Sequence, residues 1–449
     1  MNRHKEHPRV MTKVSRILGG LAAGATLCLA QISTVSTAQT TPRTVPGIDK
    51  PVVVVTGEVV GGETWTNGFY YVLRGAVFVR SGATLTIQAG TRVIGESGSG
   101  GTLVVERGGR LNAIGTRSQP IVFTSDQPVG SRARGDWGGL IINGRAPVNL
   151  EGGEGEGEGD TGVYGGTDEN DNSGSLRYVR VEFAGTEFSP DNELNGIAFQ
   201  GVGRGGTYEY IQVHMNRDDG LEWFGGTADI KHAVVSNAAD DSFDWTFGWR
   251  GRAQFIAIHQ RSDDADWGIE ADNNEFNNNS LPRANPTIYN TTICGDPDRN
   301  EGNESVRAVL FRRGTGVTFR NFLITGSKTL GLQIDGATTF AQVANGTTEI
   351  GAGVIWGPAT PAHAGAAPFI ASGRFPDVRL NVDGGLSANC FRHESPDFRP
   401  VSIATLAGGQ MAPIQPPNDG FFETVTFIGA VGPDPEDDWT QGWTSYPQQ

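Results

Sequence analysis

Apolar residues recur at alternate positions in short runs along most of this chain. Tyr178-Val179-Arg180-Val181-Glu182-Phe183, Tyr210-Ile211-Gln212-Val213-His214-Met215, His232-Ala233-Val234-Val235-Ser236-Asn237 and Phe255-Ile256-Ala257-Ile258-His259-Gln260 share one pattern, and Phe319-Arg320-Asn321-Phe322-Leu323-Ile324 repeats it. A second run, Asn195-Gly196-Ile197-Ala198-Phe199, returns later as Leu330-Gly331-Leu332-Gln333-Ile334. Val, Ile, Phe and Tyr at every second position, broken by Gly, Asn and Asp, predict short strands joined by turns; no helical stripe competes.

An acidic motif marks the same repeat. Asp218-Asp219-Gly220-Leu221-Glu222-Trp223 is followed by Asp240-Asp241-Ser242-Phe243-Asp244-Trp245 and by Asp263-Asp264-Ala265-Asp266-Trp267, with the tryptophans 22 residues apart both times. A period of roughly 20–25 residues predicts a solenoid, each repeat one coil stacked on the last. Equivalent residues then lie about 4.8 Å apart, the spacing of neighbouring strands. Alternation places Trp223, Trp245 and Trp267 inward and aligns Glu222, Asp244 and Asp266 outside. Like charges directly opposite are destabilising, so such a file must raise carboxyl pKa values or recruit a cation.

The N-terminal third has the same grammar. Ala76-Val77-Phe78-Val79, Ala83-Thr84-Leu85-Thr86-Ile87, Thr91-Arg92-Val93-Ile94, Gly101-Thr102-Leu103-Val104-Val105 and Pro120-Ile121-Val122-Phe123-Thr124 are short strands split by Gly-containing turns. Gly82 to Ile87, Gly90 to Ile94 and Gly115 to Thr124 resemble the opening coils of secreted bacterial right-handed parallel β-helix proteins of the pectate-lyase-like superfamily. Gly135-Asp136-Trp137-Gly138-Gly139-Leu140-Ile141-Ile142-Asn143-Gly144 and the ending from Phe421 to Trp443 resemble a group of such proteins whose activity is not established. The predicted fold is all-β: a right-handed parallel β-helix over 65–345, preceded by a lead-in at 39–64 and followed at 346–449 by a less regular region or cap.

The start of the chain reads as a secretory signal over 1–38. Arg3, Lys5, Arg9, Lys13 and Arg16 precede a mostly apolar stretch at 17–30, and Ser36-Thr37-Ala38 offers a cleavage site. The apolar stretch is too short to span a bilayer, and no second candidate follows it. The expected location is therefore secreted, periplasmic or at the cell surface. The chain has 35 basic and 50 acidic residues, a formal charge of −15, and losing the leader makes it more acidic. That balance disfavours nucleic acid and anionic membranes as partners and suits metal cations or neutral and cationic polymers. Cys294 and Cys390 survive cleavage; export permits a disulfide between them, and two buried free thiols remain the alternative.

Two polar insertions stand out. Residues 151–160 alternate Glu and Gly, which predicts a mobile acidic loop. Glu270-Ala271-Asp272-Asn273-Asn274 opens a second excursion placed to wall a groove.

The acidic coils carry the candidate chemistry. Glu222, Asp244, Asp266 and Glu270 are candidate ligand-binding residues, with Asp218, Asp240, Asp263 and Asp272 as further oxygens for calcium, a hard cation with about six to eight ligands in irregular geometry. Asp before Gly or Ser also forms turns, so the acidic pairs have a purely structural reading too. Three functions follow: an exported module binding an extracellular or surface polymer, with polysaccharide the expected partner and calcium the organising ion; a polysaccharide lyase or glycoside hydrolase; or a structural cell-envelope component. Asn216-Arg217-Asp218-Asp219-Gly220 and Ala239-Asp240-Asp241-Ser242 resemble the Asn-Thr-Asp and Asp-Asp elements of polygalacturonase-like hydrolases, making Asp219, Asp241 and Asp264 the candidate catalytic acids. That family's Gly-His-Gly element is missing from the next coil and its Arg-Ile-Lys element from the one after; His259, with Arg312 and Arg313 further on, is a loose substitute.

Overall fold

The computed structural model describes residues 49–189, 192–297, 307–401 and 411–448. The predicted signal segment lies outside the described residues. The chain winds into a right-handed parallel β-helix whose coils pair through three parallel ladders. One ladder contains Gly139–Asn143, Ile197–Gln200, Leu221–Phe224, Phe243–Thr246, Trp267–Ala271, Arg307–Phe311 and Leu330–Ile334 in succession. The other two share long strands, among them Gly174–Glu182, Thr207–His214, Ile230–Ser236 and Arg252–His259. The pairing extends past the predicted limits of 65 and 345. Val52–Val59 pairs with Tyr70–Val79 at one end, and Thr348–Trp356 pairs with Val378–Leu380 at the other.

Each long strand turns a corner at one residue in left-handed backbone: Tyr178, Tyr210, His232, Phe255, Asn290, Asn321 and Ala352, with φ between 49° and 61°. Such a conformation costs a non-glycine residue of order 1–3 kcal/mol. Stacking offsets part of that cost. The Tyr178 and Tyr210 rings stack at 4.4 Å, Tyr210 on His232 at 4.3 Å, and His232 on Phe255 at 4.9 Å.

Inward residues form files along the axis. Leu221, Phe243, Ile269, Val309 and Leu332 follow one another, as do Trp223, Trp245, Ala271, Phe311 and Ile334. Trp223 and Trp245 are directly paired, but Trp267 is not the next member. The coil from Phe243 to its partner Ile269 is longer than the one before it, so Trp267 enters its strand early, beside Arg307. Trp249 fills the interior instead, 4.6 Å from Trp223.

The last segment runs back along the corner file. Tyr210 meets Trp439 and Trp443 edge-on, Gln212 exchanges hydrogen bonds with Ser445, and His214 Nε2 lies 2.9 Å from the Pro447 carbonyl. Cys294 and Cys390 are joined by a disulfide, which ties this side of the coil to the C-terminal region.

Candidate functional site

Turn geometry decides which acids meet. Gly196 N–H donates to the Asp219 carbonyl and Gly220 N–H to the Asp241 carbonyl, fixing Asn195, Asp219 and Asp241 at equivalent positions on successive coils. Asp219 Oδ1 accepts the Asp241 amide at 2.9 Å, and Asp241 Oδ1 accepts the Trp267 amide at 2.6 Å. Asp266 N–H donates to the Asp240 carbonyl, so Asp266 continues the file of Asp218 and Asp240.

The strand position beyond the turn is occupied by Glu222, Asp244 and Glu270, paired in register. This corrects the alignment of Asp266 with Glu222 and Asp244. The Asp-Trp motif repeats at 22 residues, but the third coil needs 26; the extra residues fall between His259 and Ile269, where Arg134 and Arg261 pair with Asp263. Asp263 is therefore tied to guanidinium groups away from the file, and Asp264 is exposed beside it.

The acids are also covered. Residues 151–160, expected to be a mobile acidic loop, belong to a hairpin that pairs Glu154–Glu156 with Val163–Gly165. Tyr164 of the hairpin meets Phe224 edge-on, in a buried cluster that also holds Val148 and Ala198. Asn195 Nδ2 donates to Glu222 Oε2 at 2.5 Å and to Glu158 Oε2 at 2.9 Å, clipping the loop to the strand. In the polar excursion after Glu270, Asn273 and Asn274 are buried and hydrogen-bond Asn149. Asp219, Glu222, Asp241, Glu270 and Asp272 are all buried, and Asp244 is half-buried.

Charges within this site are unevenly compensated. Arg312 pairs with Glu270 and Asp272, Arg313 with Asp272, and Arg307 with Asp266. Asp272, a predicted metal ligand, is thus held by two guanidinium groups. Among the described residues no ion pair reaches Asp219, Glu222, Asp241 or Asp244. Burial pushes each of these four carboxyls well above the usual range, and neighbouring carboxylates add to the effect. The chief neighbours are Asp218 for Asp219, Glu158 for Glu222, and Glu270 for both Asp241 and Asp244. Burial likewise raises Asp218, with Glu158 and Asp240 contributing. Glu270 is raised by burial but restrained by Arg312, and reaches about 7.

Three carboxylate sets bring one oxygen from each member within 4.8 Å of one another: Asp218, Asp219 and Asp240; Asp219, Asp241 and Asp244; Asp240, Asp241 and Asp266. The middle set is the most enclosed, and Asp244 Oδ1 is buried in it without a hydrogen-bond partner. Oxygens around a cation at about 2.3–2.6 Å lie no more than roughly 5 Å apart, so the donor type and spacing fit a hard divalent ion. Glu158 and Arg312 complete the site; the sequence places Glu158 only in the acidic loop and Arg312 only as a loose substitute for a basic family element. Glu158 arrives on a loop, and Arg312 is separated from Glu270 by a long insertion, so neither has a fixed spacing to the motif.

A family model described as a pectate-lyase-like β-helix domain matches residues 57–355. The chain belongs to this family. A search of curated proteins and a search of solved structures return no match. For this family member the match covers every coil that carries an acid of the file, and it specifies the scaffold rather than the chemistry.

Proposed function

We propose that this protein is an exported, non-catalytic module that binds an extracellular or surface polymer, with polysaccharide the expected class, and that calcium organises its central coils. The observation that carries the reading is the set Asp219, Asp241 and Asp244: enclosed, oxygen-only, without a pairing cation among the described residues, and with an unpartnered Asp244 Oδ1. Asp219 and Asp241 each commit one oxygen to a backbone amide and keep the other for the ion. Asp218 and Asp240 would supply further oxygens at the rim. The ion's contribution is charge neutralisation, which lets the coils stack without protonating their acids. The matched β-helix domain offers a long parallel face suited to an extended polymer, and the acidic balance supports partners other than nucleic acid.

Calcium titration by calorimetry, followed by a glycan-array screen of the calcium-loaded protein, tests both parts. Saturable calcium binding lost in Asp244→Asn is expected, with glycan binding that chelator weakens. No heat on titration would remove the ion from the reading, and an empty array would remove the polysaccharide.

One observation favours a second reading, a polysaccharide-cleaving enzyme. A Glu270 carboxyl near 7 is suited to proton transfer at neutral pH. Product release from any polymer on that array, abolished by Glu270→Gln, would replace the non-catalytic reading.

A further inference from the structure

A cavity of about 430 Å³ opens beside the hairpin, and no acid of the file lines it. It lies where three stacked turns, carrying Ser81, Arg107 and Arg145, meet Glu154 and Gly165 of the hairpin and the Gly166, Thr167 and Asp168 that follow it. Its size falls within the roughly 300–1,000 Å³ of small-molecule sites.

The floor of this cavity depends on a missing side chain. Gly108 has φ of +93°, and a methyl group there would lie 2.2 Å from Arg145 Nη2 and 2.7 Å from Ser81 Oγ. Two donors from coils on either side therefore converge over one glycine. Arg107 is already committed, donating to Glu154 and to the Gly165 carbonyl. Asp168 Oδ1 accepts the Asn170 amide. Arg145 is exposed, and among the described residues its guanidinium forms no ion pair within 4 Å, although its charge offsets part of the rise that burial imposes on the Asp171 carboxyl. A guanidinium presents a planar fork matched to two oxygens of one anion.

We propose that this cavity binds a polyhydroxylated ligand carrying one oxyanion, with the anion on Arg145 and Ser81 and the hydroxyls toward Thr167 and Asp168. The site shares no side chain with the carboxylate file, so it stands or falls without calcium.

Calorimetry with glucuronate, glucose 6-sulfate and glucose, run in chelator, tests it. At least one of the two anionic probes is expected to bind saturably, and glucose at least tenfold more weakly; which anion binds tells a carboxylate from a sulfate ester. Arg145→Ala and Arg145→Met are both expected to cut that affinity at least tenfold while the melting temperature stays at the wild-type value. Failure of both anions to bind, glucose binding as well as they do, or wild-type affinity in both variants would each overturn the proposal.

Discussion

Asp241 Oδ1 accepts the backbone amide of Trp267, one coil further on, at 2.6 Å. The acid thereby does two jobs: it pins the longest coil of the acidic region and holds charge next to Asp219, Asp244 and Glu270. Loss of the acceptor leaves a buried N–H unpaired, at a cost of about 1–3 kcal/mol. Asp241→Ala is expected to lower stability by about that amount in denaturant melts. Asp241→Asn keeps an acceptor and removes a charge, so in chelator at neutral pH it should be neutral or stabilising. Equal losses in both variants would show that the charge is not a burden.

The pH profile in chelator follows from the raised carboxyls. Each holds its proton more tightly folded than unfolded, so its contribution is complete below the ordinary carboxylate range and is lost as pH rises through the folded value. Buried His214, His232 and His259 act in the opposite sense. Burial lowers them to about 4, 3 and 3, so their contribution is present above about 6.5 and lost as pH falls. The two effects separate above about pH 6.5, where these histidines are neutral in both states. There the melting temperature in chelator should fall as pH rises through the value of about 7 for Glu270 and beyond. Calcium should flatten that slope. A flat profile in chelator would mean that the acids are already compensated.

Arg312 tests how the far end of the file is neutralised. It pairs with buried Glu270 and Asp272, and removing one member of such a group leaves uncompensated charge, costing about 3–5 kcal/mol when fully buried. Arg312 is itself partly exposed, so a loss toward about 3 kcal/mol is expected for Arg312→Ala in denaturant melts. Arg312→Lys should recover only part of it, since a point charge cannot span both carboxylates as the guanidinium fork does. Full recovery by lysine would reduce the arrangement to simple charge balance.

The coil was readable from sequence because strand alternation and a near-constant period are local signals. Leu221, Trp223, Phe243 and Trp245 sit in the interior as their spacing predicts. The third acidic coil misled because its Asp-Trp pair repeats the motif spacing while the backbone takes a longer path past Asp263, which the Arg134 side chain pairs with. Glu270 inherits the place expected for Asp266. Cover over the file was equally hidden: alternating Glu and Gly reads as solvated loop, and only tertiary contact brings Glu158 to Asn195.

The C-terminal segment carries the last prediction. Trp443 is buried against Tyr178 and Tyr210, and its indole donates to the Trp439 carbonyl. These contacts cover corner residues held in left-handed backbone, so the strap stabilises the coil as well as itself. Trp443→Ala removes a large buried ring, which costs about 3–5 kcal/mol in a core. The disulfide from Cys294 to Cys390 spans 96 residues, and closing a loop that long restricts the unfolded chain by roughly 4–5 kcal/mol in the chain-entropy account. Trp443→Ala should therefore lower the melting temperature clearly in the oxidised protein and further after reduction. Hydrogen exchange should show the loss spreading to the strand Thr207–His214, whose Gln212 and His214 meet the strap. Exchange confined to 411–448, with that strand still protected, would make the strap a passenger on a self-sufficient coil.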